Sequence, residues 1–118
     1  MRVEIIIGGG VESMADGVIE LIVTIVEDYA REIRKRENEV AGIYLYGSYA
    51  KGVSSSDSDI DVAIVIDRKE VDVFDEQLKY MRYRRKIDTR IEPHIFIKDE
   101  LSSDIFWGSI KNQLIKIA

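Results

Sequence analysis

The run from Asp59 to Ile66 restricts the possible folds more than any other part of this chain. Ile60, Val62, Ile64 and Ile66 alternate with Asp59, Asp61, Ala63 and Val65, so a strand here has one apolar face and a second that begins acidic and turns apolar. A strand apolar on both faces is a central one, in a sheet covered on both sides. Val40 to Tyr46, rich in β-branched and aromatic residues, reads as a neighbouring strand, and Ile87 to Ile97 as a third. Helical spacing of Val18, Leu21, Ile22, Ile25, Val26, Tyr29 and Ile33 predicts an amphipathic helix over about 13 to 37, opened by Ser13 and Asp16. Arg34, Lys35 and Arg36 suit the negative end of its dipole, and Asn38 is expected in the left-handed conformation that ends a helix. Residues 68–84 suit a helix with Val71, Phe74, Leu78 and Met81 inward, and a short helix from about 99 offers Ile105, Phe106 and Trp107 for packing. The expected class is α+β, a two-layer α/β arrangement of helices on a sheet.

At 118 residues the chain suits one domain, 1–118, with no repeat or internal linker. Seventeen Lys and Arg against 22 Asp and Glu give a net charge of −5, opposite to a surface that coats nucleic acid in general. The absence of cysteine removes disulfides, thiolate zinc sites and cysteine nucleophiles together, and a single histidine removes multi-histidine zinc sites. The most apolar stretch, Val18 to Val26, is far below the roughly 20 residues that span a bilayer, and the N-terminus lacks the apolar length of a secretory signal. A cytoplasmic protein is expected. Residues 1–7 read as a short strand or, as part of 1–12, a loosely held leader ahead of Gly8-Gly9-Gly10. That triplet is no dinucleotide-binding fingerprint, because Ser13 stands where the third glycine belongs.

Chemistry concentrates around the first two strands. Asp59 and Asp61 lie two apart, so both carboxylates leave one face with Cα atoms about 6.7 Å apart. An all-oxygen pair without a nearby histidine suits Mg²⁺, which takes one or two carboxylates and fills its shell with water and substrate phosphates; the same pair also suits a solvated strand end. Gly47-Ser48, ending the preceding strand, allows close backbone approach to a phosphate at the start of a short helical turn over Tyr49 to Lys51. Lys51 is a further phosphate contact or a solvated loop lysine, and Ser54, Ser55 and Ser56 read as loop. Lys79, Arg82, Arg84, Arg85, Lys86 and Arg90 with Asp88 form a basic cluster suited to solvent, to an acidic partner or to RNA.

Gly47-Ser48, ten residues, then Asp59-Ile-Asp61 resembles the signature of the DNA polymerase beta-like nucleotidyltransferase superfamily. The wider runs Leu45–Gly52 and Ser58–Val65 resemble its minimal nucleotidyltransferase (MNT, antitoxin-type) branch, with 40–97 as the motif core. The resemblance implies a nucleotidyltransferase fold with a mixed sheet of three to five strands flanked by helices. It also implies transfer of a nucleoside monophosphate, AMP from ATP in the leading reading or another NTP, to an acceptor hydroxyl with release of pyrophosphate. Under it Gly47, Ser48 and Lys51 are nucleotide-binding, and Asp59 and Asp61 ligate magnesium. The family's third carboxylate, a metal ligand and base on a neighbouring strand, falls on Glu92, with Asp88 as the competitor. Period two places Asp88, Arg90, Glu92, His94 and Phe96 on one face, and Pro93 marks an edge or a bulge. His94 and Trp107 are expected in packing roles. Larger members carry an acceptor-binding domain; here 98–118 is all that follows the third strand. The resemblance therefore implies a separate helical partner of HEPN type in a toxin–antitoxin pair, with self-association as another way to cover the open face. Two alternatives remain: a nucleotide-binding, partner-neutralising module with little turnover, and a small-molecule nucleotidyltransferase.

Overall fold

A computed structural model describes residues 14–54 and 58–118, with side chains from Gly17 onward. The proposed leader, Ser13 and Ser55–Asp57 lie outside the described residues. The chain runs α1 (Met14–Arg36), β1 (Val40–Tyr46), α2 (Ser48–Lys51), β2 (Ile60–Ile66), α3 (Val73–Tyr83), β3 (Ile91–Ile97), α4 (Ile105–Ile110) and β4 (Ile115–Lys116), with 3₁₀ turns at Arg84–Lys86 and Lys98–Ser103. The four strands form one sheet in the order β3-β2-β1-β4. β1 is antiparallel to β2 and β4, whereas β2 and β3 run parallel. This is the mixed sheet expected, with β2 inside it and Pro93 on an edge strand, where its missing N–H is tolerated.

The alternation in β2 separates two cores. On one face Ile60, Val62, Ile64 and Ile66 are buried against α1, whose Ile22, Val26 and Ile33 point at the sheet. On the other, Ala63 and Val65 pack with Tyr46, Phe96 and Ile110, and partly buried Trp107 closes this smaller cluster. Trp107 therefore packs as expected, edge-on to Tyr44 and Phe96.

Several local expectations need correction. α3 starts at Val73, after its cap Asp72, and turns Tyr80 inward, leaving Phe74 71% and Leu78 42% exposed. The reason is polar: Tyr29 in α1 donates its hydroxyl to the Tyr80 carbonyl at 2.7 Å, and Glu37 accepts from Lys79 at 2.8 Å and Tyr83 at 2.7 Å. These long-range bonds orient α3 against its apolar stripe. Val18 and Leu21 likewise remain exposed on α1, whose buried line starts at Ile19. Among the described residues no non-glycine has positive φ, so Asn38 does not take the left-handed conformation; the Ile33 carbonyl accepts the Glu37 amide at 2.8 Å instead. Ile105 and Phe106 are 91% and 41% exposed. Asp88 and Arg90 precede β3 and do not share its face.

Because the Tyr29 hydroxyl bond is buried, Tyr29→Phe leaves the Tyr80 carbonyl one donor short. It is expected to cost about 1–2 kcal/mol, read as a lower urea midpoint with an unchanged slope.

Candidate active site

The site lies at the end of the sheet where β1 stops and β2 and β3 begin. Its carboxylates stand on the face of the smaller core because Asp61 shares the side-chain parity of Ala63 and Val65. Parallel register sets Asp61 opposite Glu92, and antiparallel register sets it opposite Tyr46. Asp59 precedes β2 and is exposed.

Gly47 joins β1 to α2 with φ +79° and ψ −152°, a backbone conformation essentially reserved for glycine. A Cβ there would stand 2.1 Å from Oδ2 of Asp61. The bend is thus packed directly on the carboxylate, with Ser48 as the first residue of α2 and no side chain capping the helix. Lys51 is exposed in the last turn of α2, and among the described residues no bond joins it to the carboxylates.

Electrostatics tie the three acids together. Half-burial, then the charges of Asp59 and Glu92, hold the Asp61 carboxyl above its usual range. Burial and the charges of Asp61 and Glu92 push the Tyr46 phenol up to about 12, so it stays neutral at pH 7. Asp88 is committed elsewhere. Arg90 grips its carboxylate through Nε at 3.1 Å and Nη2 at 2.8 Å and also donates its amide at 2.9 Å, holding Asp88 below its usual range. Of the two candidates for third carboxylate, Glu92 is therefore the one that faces Asp61.

Arg84, read from the sequence only as one member of a basic cluster, lies beside Glu92. Its Nη1 donates to the carbonyls of Thr89 at 2.9 Å and Ile91 at 2.8 Å and lies 3.6 Å from Oε1 of Glu92. A side chain held by backbone carbonyls leaves no motif, so only coordinates reveal it. His94, two residues beyond Glu92, is exposed and stacks on Phe96 and Phe106 at 4.7 Å between ring centroids, a packing role.

Magnesium can be tested against these residues. The donors are all oxygen, and a divalent cation would offset both the burial and the neighbouring charges that hold the Asp61 carboxyl up. The residue types fit the ion. Among the described residues, however, no three acidic or histidine side chains stand as a ready-made ligand trio.

The comparisons identify the class of this domain. The family model described as "Nucleotidyltransferase domain" matches residues 27–117; the chain belongs to that family. Two Methanocaldococcus jannaschii proteins that carry the provisional name of protein adenylyltransferase are related to it. One is 30% identical over 87 residues, covering 74% of this chain and 86% of the relative. The other is 32% identical over 101 residues, covering 81% and 98%. Among solved structures, one described as a nucleotidyltransferase of Sulfolobus solfataricus superposes with a TM-score of 0.68 at 20% identity, over 92% of this chain and 90% of that one. A toxin–antitoxin structure with AMP-PNP superposes at 0.52 and 18% identity, over 78% and 72%. Both share the fold. The chain is a nucleotidyltransferase, and among the described residues no helix is long and apolar enough to cross a membrane.

Proposed function

We propose that this nucleotidyltransferase moves AMP from ATP to a hydroxyl on a partner protein. The observation that carries this reading is the pairing of Asp61 with Glu92 across β2 and β3, with Gly47 packed on Asp61. The relatives' name, protein adenylyltransferase, supports the substrate class, and the superposable toxin–antitoxin structure supports a protein partner, for which a HEPN-type helical protein is the candidate.

In this reading Gly47 and Ser48 hold the triphosphate where the backbone approaches without a side chain, and Lys51 reaches an outer phosphate. Asp59, Asp61 and Glu92 would hold Mg²⁺, which when bound would offset charge on the attacking and leaving oxygens. The acceptor oxygen bonds to the α-phosphorus, the bond from that phosphorus to the bridging oxygen breaks, and pyrophosphate leaves. Glu92, 45% exposed beside an edge strand, takes the hydroxyl proton. The buried Tyr46 phenol stays protonated beneath the carboxylates.

The test is to incubate the protein and a co-purifying partner with Mg²⁺ and ATP labelled at the α- or the γ-phosphate. Label is expected on the partner from the α position only, and none with Asp59→Asn/Asp61→Asn. Stable partner binding with no label transferred would replace this reading with that of a neutralising module.

A further inference from the structure

α3 carries a surface that neither the core nor the carboxylate site uses. Phe74, Leu78, Met81 and Arg82 follow one another at helical spacing along its outward side, Met81 half-buried, and exposed Arg85 continues the line in the 3₁₀ turn that follows. Next to them lies a groove of about 410 Å³ lined by Leu78, Met81, Arg82, Arg84, Arg85 and Thr89. We propose that this groove seats an acidic, amphipathic helix of a partner protein, and that this helix brings the acceptor hydroxyl to Glu92.

Charge complementarity selects the occupant. Three of the six lining residues are arginines on a chain whose net charge is −5, and among the described residues Arg82 and Arg85 have no carboxylate partner. A carboxylate-bearing segment neutralises them, while its apolar side covers Leu78 and Phe74. Exposed Phe74 and Leu78 beside these arginines favour a protein with an apolar side over RNA, whose affinity rests on phosphate contacts.

The edge of the sheet selects the form of the occupant. β3 is an edge strand, the usual place for a partner to add a strand. Here Arg84 already donates to the carbonyls of Thr89 and Ile91, and the Gln77 amide donates to that of Pro93. These bonds occupy the first half of the β3 edge, the part nearest the groove, and so favour a helix lying along α3 there. The stripe from Phe74 to Arg85 spans about 17 Å, or three helical turns.

Arg84 links the groove to the site. It lines the groove and lies 3.6 Å from Glu92, so a helix seated there lies along the edge strand that bears the third carboxylate. The identity of the occupant as acceptor carrier rests on the proposed transfer reaction; the docking does not.

The probe is a fluorescent helical peptide of about 16 residues with leucine at i, i+3, i+4 and i+7 and glutamate elsewhere, a lysine version being the control. The glutamate peptide is expected to bind in a salt-sensitive way and to shift amide resonances of α3 and the Arg84–Thr89 segment in the unmodified protein. Arg82→Glu/Arg85→Glu should weaken it at least about tenfold and admit the lysine peptide, and Phe74→Ser/Leu78→Ser should weaken it several-fold with helical content unchanged. Asp59→Asn/Asp61→Asn should bind it like the unmodified protein, so loss of transfer and loss of docking are read separately. Equal binding of both peptides, shifts outside the groove, or capture of single-stranded RNA or anionic vesicles by the same residues in place of the peptide overturns the proposal.

Discussion

Asp61→Asn is expected to reduce nucleotidyl transfer by roughly 10³-fold and at the same time to raise the melting temperature of the protein measured without nucleotide or metal. The two effects share a cause. Asp61 is half-buried and faces Asp59 and Glu92, so folding holds its carboxyl above the unfolded range. A carboxyl with a raised folded pKa is tolerated protonated and costs stability once ionised. At neutral pH the charge opposes folding, and asparagine removes that opposition while keeping the shape. As pH falls through the raised value, the unmodified protein gains the proton and the advantage of the variant disappears. Calorimetric melts across the acidic range check the sign: a variant less stable than the parent at neutral pH would show that Asp61 is a structural carboxylate. Added Mg²⁺ and ATP should reverse the order, because only the parent carries the charge they need.

Gly47→Ala is expected to cost about 3 kcal/mol of stability and to abolish transfer. Strain and collision act together there, since φ is +79° and the new Cβ falls 2.1 Å from Oδ2 of Asp61. Gly52→Ala separates the two. Gly52 has φ +73°, but a Cβ there meets nothing within 4 Å, so only the left-handed backbone is penalised, at about 1 kcal/mol. Urea midpoints and transfer rates for both variants check this; comparable losses at the two glycines would mean that the contact with Asp61 is unimportant.

What could be read from the sequence was what depends on near neighbours in the chain. The Asp59–Ile66 alternation places Asp61 on the face of Ala63 and Val65, and Gly47 is marked by its position between a strand and a short helix. Glu92 was reachable through strand periodicity, whereas eliminating Asp88 required seeing Arg90 fold back on it. The orientation of α3 was not legible, because bonds to Tyr29 on distant α1 and to Glu37 just after it outweigh the stripe formed by Phe74, Leu78 and Met81. β4 was missed because two residues, Ile115 and Lys116, are too few to show a period; their pairing with Leu45 and Tyr44 defines them as a strand.

The two faces of the sheet are clad unequally. Among the described residues a 23-residue helix and an 11-residue helix cover one, while the carboxylate face has a six-residue helix and a 3₁₀ turn. Local opening is cheapest where the fewest apolar groups must be wetted. Lifting α4 disturbs the small cluster around Phe96 and leaves the isoleucine layer beneath α1 dry. Amide exchange is therefore expected to be faster in α4 than in the buried part of α1, the strands staying in register from the α1 side.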